Sequence, residues 1–428
     1  MAVSDGIIQA LREKRRQYRE DLFKEFNPVL GSGAVDALSS LADVYDEKMY
    51  IWLAGLWEPR IGGFYYSPSA RDNEGFLPDL ESTGQALQFI QNSGLCQSYA
   101  DIPQKLKTKM ITFAQGLQSP EDGFFYHPQW GSDIPTSRRG RDLVWANGIL
   151  NRLGADMLYP SPLDIATDSA APRRAEHLTD LGKFKAYLLG FEASDNKYCI
   201  SSHSYPFGNL IASQAMQIKA AGEEYVKTLV DFLNGHQYSD SGLWEEHSGY
   251  DPINGLMKIS TVYSMLGVEM PHAEEALERA VEVALSSDNP PHICCIYNPL
   301  YAVNAALGNV KLSRGEEYSE KIRGQLILSR AEELLSATKD KASLFKKADG
   351  SFSMRQCSSA ERSQGVPVAV PNTNEGDLNS TKISLCAIWG ESCRAVGIKM
   401  PPLFTEDDGR LFFELMEPSL PITEGKEN

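Results

Sequence analysis

The chain has seven cysteines in 428 residues, none of them in a C-x-x-C pair, and only Cys294 and Cys295 lie close together. A zinc knuckle and a dithiol redox motif are therefore not encoded, and reduced, mostly buried thiols in a cytoplasmic protein are expected. No apolar run reaches membrane-spanning length. The start, Met1 to Gly6, carries no secretory pattern. Basic residues are outnumbered, and the net charge of −16 argues against nucleic acid or a membrane surface as main partner. Phosphate-loop, dinucleotide-binding and G-x-S-x-G patterns are missing. So are D-x-D-D and D-D-x-x-D, which weakens a terpenoid cyclase. The seven histidines are dispersed, so no metal and no cofactor are expected.

Helical periodicity fills most of the remainder. Ser4 is placed to cap a first helix carrying Ile7, Leu11, Tyr18, Leu22 and Phe26. Its Arg12, Arg15, Arg16 and Arg19, mixed with acids, read as a solvated face. A second helix is expected over 34–57. Others are expected near 79–93, 103–118, 141–154, 177–190, 208–220, 222–236, 251–267, 272–287, 295–307, 317–337 and 379–396. Residues 353–371 are rich in Ser, Gly and Pro and read as non-helical. Residues 158–175 read as a loop insert, 423–428 as a polar tail, and Asp407-Asp408 as an acidic turn.

Four Gly-aromatic segments punctuate the helices: Gly62-Gly63-Phe64-Tyr65-Tyr66, Asp122-Gly123-Phe124-Phe125, Ser241-Gly242-Leu243-Trp244 and Asp349-Gly350-Ser351-Phe352. Glycine at a tight bend followed by an aromatic suits a turn that plugs the end of a helical hairpin. Some dozen helices with such turns lead to an all-α expectation: one α/α toroid over 1–428, a barrel of helical hairpins. An α-solenoid is the competing arrangement, but it predicts regular spacing, which these segments do not have. In this pattern the chain resembles the α/α-barrel enzymes, which include toroidal polysaccharide lyases, glycoside hydrolases and sugar epimerases.

Turns at one end of such a ring would surround a funnel. Tyr66, Trp130 and Trp244 would offer sugar rings flat faces there, unless they pack the ring ends. His203-Ser204-Tyr205 resembles the Asn-Asn-His-Ser-Tyr-Trp motif of toroidal alginate lyases, with Ser201-Ser202 in place of the asparagines and Pro206 in place of tryptophan. The resemblance implies β-elimination on a uronic acid by His203 and Tyr205, which an extended segment would point the same way. Arg138, Arg139 and Arg141, beside His127 and Trp130, form a compact basic cluster suited to a carboxylate; Arg139 is assigned to catalysis, Arg138 and Arg141 to binding. Asn254 and Lys258 share one stripe of a helix and are further binding candidates.

Carboxylates give the competing reading, a glycoside hydrolase with paired acids drawn from Asp79, Glu81, Glu245, Glu246, Asp251, Glu375 and Asp377. A sugar epimerase using His203, His127 or His247 is a third possibility, and a non-catalytic helical scaffold a fourth. The first expectation is a cytoplasmic enzyme that cleaves a short anionic, uronic-acid-containing oligosaccharide.

Overall fold

The computed structural model describes residues 5–162 and 175–417. Ser4, most of the 158–175 insert and the tail 423–428 lie outside the described residues. The chain is mostly helical. It begins with α1 (Asp5–Lys24), α2 (Ser32–Ala42) and α3 (Glu47–Ala54). Next come α4 (Leu80–Ser93), α5 (Gln104–Gly116), α6 (Thr136–Leu153), α7 (Leu181–Leu189), α8 (Ser204–Ala221) and α9 (Glu223–Gly235). The second half holds α10 (Tyr250–Leu266), α11 (Ala273–Leu285), α12 (Cys294–Arg314), α13 (Glu316–Leu326) and α14 (Ala331–Ser343). Finally α15 (Leu378–Lys382) runs through a π-helical stretch, Ile383–Trp389, into α16 (Gly390–Ala395), and α17 (Glu406–Met416) follows. Among the described residues no helix is long and apolar enough to cross a membrane.

The Gly-aromatic turns share one register. Gly62, Gly123, Gly242 and Gly350 have φ of 90°, 72°, 66° and 86°, a region that favours glycine. Two residues on, Phe64, Phe125, Trp244 and Phe352 are buried in the core. Glycine is needed for a second reason. A Cβ on Gly62, Gly242 or Gly350 would sit 2.5 Å from Lys109 O, His272 O or Met49 N, backbone atoms of a neighbouring helix or its start. The strands are short: β1 (Trp57–Glu58) pairs antiparallel with β2 (Gly63–Phe64), and β3 (Arg362–Ser363) with β4 (Val366–Pro367).

Helix neighbours run in a continuous series. α6 packs on α4, α4 on α15 and its π-helical continuation, α16 on α12, α12 on α10, and α10 on α8. Around them α5 lies on α6, α9 on α8, and α11 on α10 and α12, while α14 joins α2 and α11. The closeness of α8 and α10 comes from glycine. Gly208 faces Lys258 and Ile259, and Gly255 faces Ser204, with no room for a Cβ at either position. Buried side chains from Phe23 to Met416 form one large cluster. A second, small cluster of Tyr66, Ile134, Val366, Val368 and Ala369 lies beneath the β3–β4 hairpin.

Several expectations need correction. The 34–57 helix is two helices, because Asp46 accepts from Lys48 N–H at 3.0 Å and starts α3 anew. The 317–337 helix is broken at the 3₁₀ turn Leu328–Arg330. Asp407-Asp408 is no turn but the start of α17, where Thr405 and Asp408 form a capping box. The arginines of α1 are not one solvated face. Arg15 is buried between Glu47 (2.6 Å) and Asp408 (2.9 Å), tying α1 to α3 and α17. Arg19 is buried too, donating to the carbonyls of Ala42, Tyr45 and Leu403.

Candidate functional site

Two helix starts carry the same five residues apart from the third: Asp79-Leu80-Glu81-Ser82-Thr83 opens α4 and Asp377-Leu378-Asn379-Ser380-Thr381 opens α15. Each Asp is an N-cap, accepting from the backbone N–H and hydroxyl of the Ser three residues on. Each Thr hydroxyl accepts from the N–H of the plugging aromatic, Phe64 or Phe352, at 3.0 Å. The third positions, Glu81 and Asn379, are bridged by Gln85, whose Nε2 donates to both, at 3.1 and 2.9 Å. Glu81 oxygens only accept, so this fixes the orientation of the Gln85 amide.

Glu81 is the hub of a buried web. Arg138, fully buried, donates to Glu81 at 3.0 Å and forks onto Asp142 at 3.0 and 2.5 Å, with Asp79 at 3.7 Å. Its guanidinium also stacks over Trp130, 4.5 Å from the ring centre. Arg141 donates to Glu81 through Nε (2.9 Å) and Nη2 (2.5 Å), and Ser363 of the β3–β4 hairpin adds a bond at 2.8 Å. Burial pushes the Glu81 carboxyl up, but the two arginines outweigh it and hold it below its ordinary value. Burial wins at Asp142, which is pushed up to about 6 despite Arg138.

Lys258 of α10 is the other basic candidate. It is half-buried, and its Nζ lies 5.6 Å from the ring centre of Tyr205. No described carboxylate lies within 4 Å of that nitrogen, and no described acceptor bonds to it. Burial lowers the Lys258 pKa; Cys294 opposes this and the Arg141 charge adds to it. The Cys294 thiol is itself pushed up to about 12 by burial. Tyr205 is 41 % exposed, and burial of the rest of the side chain raises its pKa. Tyr297, one turn along α12 from Cys294, feels both Tyr205 and Cys294. Lys258 and Tyr205 are thus in contact, and among the described residues Lys258 makes no ion pair.

The remaining candidates fall elsewhere. Arg139 does not join the other arginines. It stacks over Phe124, 5.4 Å from the ring, and its charge acts on Asp122 and Tyr126. His127 is buried, with Nε2 donating to Pro78 O at 2.7 Å and Nδ1 accepting from Gln129 N–H at 3.3 Å, so neither nitrogen is free. Trp130 donates to Pro367 O at 3.1 Å. Tyr66 and Trp244 are packed away rather than presented: Tyr66 donates to Asp377, and Trp244 to Leu233 O. Asn254 is buried and accepts from Asn298 at 2.7 Å.

His203 and Tyr205 do not share a face. Helix α8 starts at Ser204, not near Asn209, because Glu245 reaches across to accept from Ser204 N–H (3.0 Å) and Oγ (2.5 Å). His203 becomes the exposed N-cap residue, bonded to Ser202 at 2.8 Å, while Tyr205 turns into the helix. Most carboxylate candidates are likewise spent. Asp79 and Asp377 cap helices, Glu245 holds α8, and Glu375 accepts from Ser69 N–H and Oγ at 2.8 and 2.5 Å. Asp377 is pushed up to about 6 by burial. Glu246 and Asp251 are exposed.

Gln85, Asn379 and Ser363 of the web, and Cys294 and Tyr297 around Tyr205, were not singled out by sequence. The repeated D-L-x-S-T was the signal available for Asn379. Among the described residues no cluster of three or more His, Cys, Asp or Glu could hold a metal. No known protein family, no curated protein and no solved structure matches the chain.

Proposed function

We propose that α4, α6, α8, α10, α12 and α15 form the inner ring of an α/α toroid, and that its central cavity cleaves short uronic-acid oligosaccharides by β-elimination in the cytoplasm. The ring reading is supported by the continuous helix series from α6 to α8.

The observation that carries the chemistry is Lys258: half-buried, stacked on Tyr205, and without an ion pair among the described residues. Arg141, permanently charged, favours an anionic ligand in a chain that is otherwise strongly acidic. Arg141 uses Nε and Nη2 on Glu81 and keeps Nη1 for a substrate carboxylate. Neutralising that carboxylate makes the adjacent C5 proton removable. Lys258 in its neutral form, which burial favours, takes the proton. The C4–O bond breaks as the C4=C5 bond forms, and Tyr205, still protonated, donates to the leaving oxygen. Hydrolysis by paired carboxylates is less well supported, because the buried acids are occupied by arginines, caps or hydroxyls.

The test is incubation of the purified protein with a panel of uronic-acid oligosaccharides. Ultraviolet absorbance of the unsaturated product should rise in step with new reducing ends. Lys258→Met and Tyr205→Phe should each abolish the signal while leaving the circular dichroism unchanged. Reducing ends without absorbance, or neither signal across the panel, would refute elimination.

A further inference from the structure

We propose that residues 361–369, which carry the β3–β4 hairpin, are a flap that swings as one unit off the Glu81 web while the rest of the chain stays folded. The structure holds the flap in its closed position.

Both ends of the unit are anchored. On one side Ala360 N–H donates to Asp377 Oδ2 at 3.3 Å, and Ser359 N–H to Thr373 O at 3.2 Å. On the other, Val370 N–H donates to Ser69 Oγ at 3.1 Å, and Ser69 is itself held by Glu375. Between these anchors the segment bonds largely to itself. Val368 N–H donates to Glu361 O at 2.9 Å, Arg362 pairs with Pro367 and Ser363 with Val366, and Arg362 donates to Gly365 O. The turn takes only Gln364 and Gly365, with φ of 50° and 89°, as tight hairpins require.

Contacts from the unit to the rest of the chain are few. Among the described residues three hydrogen bonds latch it. Ser363 Oγ donates to Glu81 Oε2 at 2.8 Å, and Pro367 O accepts from Gln129 Nε2 and Trp130 Nε1, at 3.3 and 3.1 Å. Its buried apolar side chains, Val366, Val368 and Ala369, cluster with Tyr66 and Ile134, apart from the main core. Segments that share little apolar contact with the core open locally before the core does. Opening leaves Glu81 bonded to both arginines, so its charge stays paired. The Glu81 oxygen that Ser363 covers then becomes accessible, whereas the closed residue is only 2% exposed. Both latches lie on the web, at Glu81 and at Trp130, over which Arg138 stacks. The flap therefore governs access to the web.

Thiol labelling of the full-length protein tests this. Val366→Cys and Ile134→Cys each place a thiol in the cluster beneath the flap. Each variant is treated with iodoacetamide in native buffer, and alkylated sites are located by peptide mass mapping. Every rate is divided by the rate of the same thiol in urea. Cys393, fully buried in the main core, is the internal reference. The introduced thiol should react at least about ten-fold faster than Cys393, because local opening precedes global unfolding. Adding Ser363→Ala should speed that reaction by about ten-fold, as the loss of one hydrogen bond to a charged group implies, and leave Cys393 unchanged. Trp130→Phe should act in the same direction. An introduced thiol that reacts no faster than Cys393, or one indifferent to Ser363→Ala, would overturn the flap. Either labelling position decides this if the other variant fails to fold, and the readout is independent of the reaction proposed above.

Discussion

Replacing Arg138 by Met tests the polar web most severely. The side chain is fully buried and faces three carboxylates: Glu81 at 3.0 Å, Asp142 at 2.5 Å and Asp79 at 3.7 Å. Methionine keeps much of the volume and removes the charge, leaving buried carboxylates short of their partner. Breaking a buried ion pair from one side costs about 3–5 kcal/mol. Unfolding entropy of about 2.1 cal/mol/K per residue implies roughly 0.9 kcal/mol/K for a chain of this length, so the melting temperature should fall by about 3–6 °C. The loss should also depend on pH. Asp142 is already pushed up to about 6, above its ordinary 3.8, so its ionisation works against the fold. The stability it withholds at neutral pH returns as pH falls through that value. Without Arg138 the Asp142 pKa rises further, so the variant's deficit should be larger at about pH 7.5 than at about pH 5.5. Calorimetry at both values measures this. A melting temperature within about 1 °C of wild type at both, or a deficit that grows on acidification, would refute the reasoning.

Two further predictions concern the frame. Gly350→Ala should cost more than about 2 kcal/mol, combining left-handed strain with the approach to Met49 N, whereas Gly131→Ala, also left-handed but in open space, should cost about 1 kcal/mol; urea midpoints of the pair check this. Lys341, pushed down to about 8 by burial, binds fewer protons folded than unfolded between that value and its ordinary 10.5. Stability should therefore gain from this residue as pH rises through that window, and Lys341→Met should remove the gain in alkaline urea titrations.

Local features were the legible part of the fold. The Gly-aromatic turns and most helix spans could be read because each depends on neighbours in sequence: a left-handed glycine, an aromatic two residues on, a capping Asp. Features set by distant partners could not. The start of α8 is fixed by Glu245, some forty residues away, so His203 and Tyr205 were given one face that the helix denies them. The same holds for Arg15, paired with Glu47 and Asp408, and for Arg138, whose place in the cluster was legible but not the acids that enclose it. Trp244 and Tyr66 look like sugar platforms in sequence because an aromatic after a turn has the same composition whether it plugs a helix pair or faces solvent. Helical spacing puts Lys258 and Asn254 on one stripe, and the fold separates them: Asn254 is sealed in an amide pair, and Lys258 has no ion pair among the described residues.

The central claim is that Lys258, Arg141 and Tyr205 act together on a uronic-acid substrate. The most direct measurement follows the ultraviolet absorbance of unsaturated product from a short oligouronide, with wild type and Lys258→Met compared side by side. The account predicts a steady rise with wild type and none with the variant. Equal rates from both proteins, or wild-type cleavage that releases reducing ends without absorbance, would contradict it.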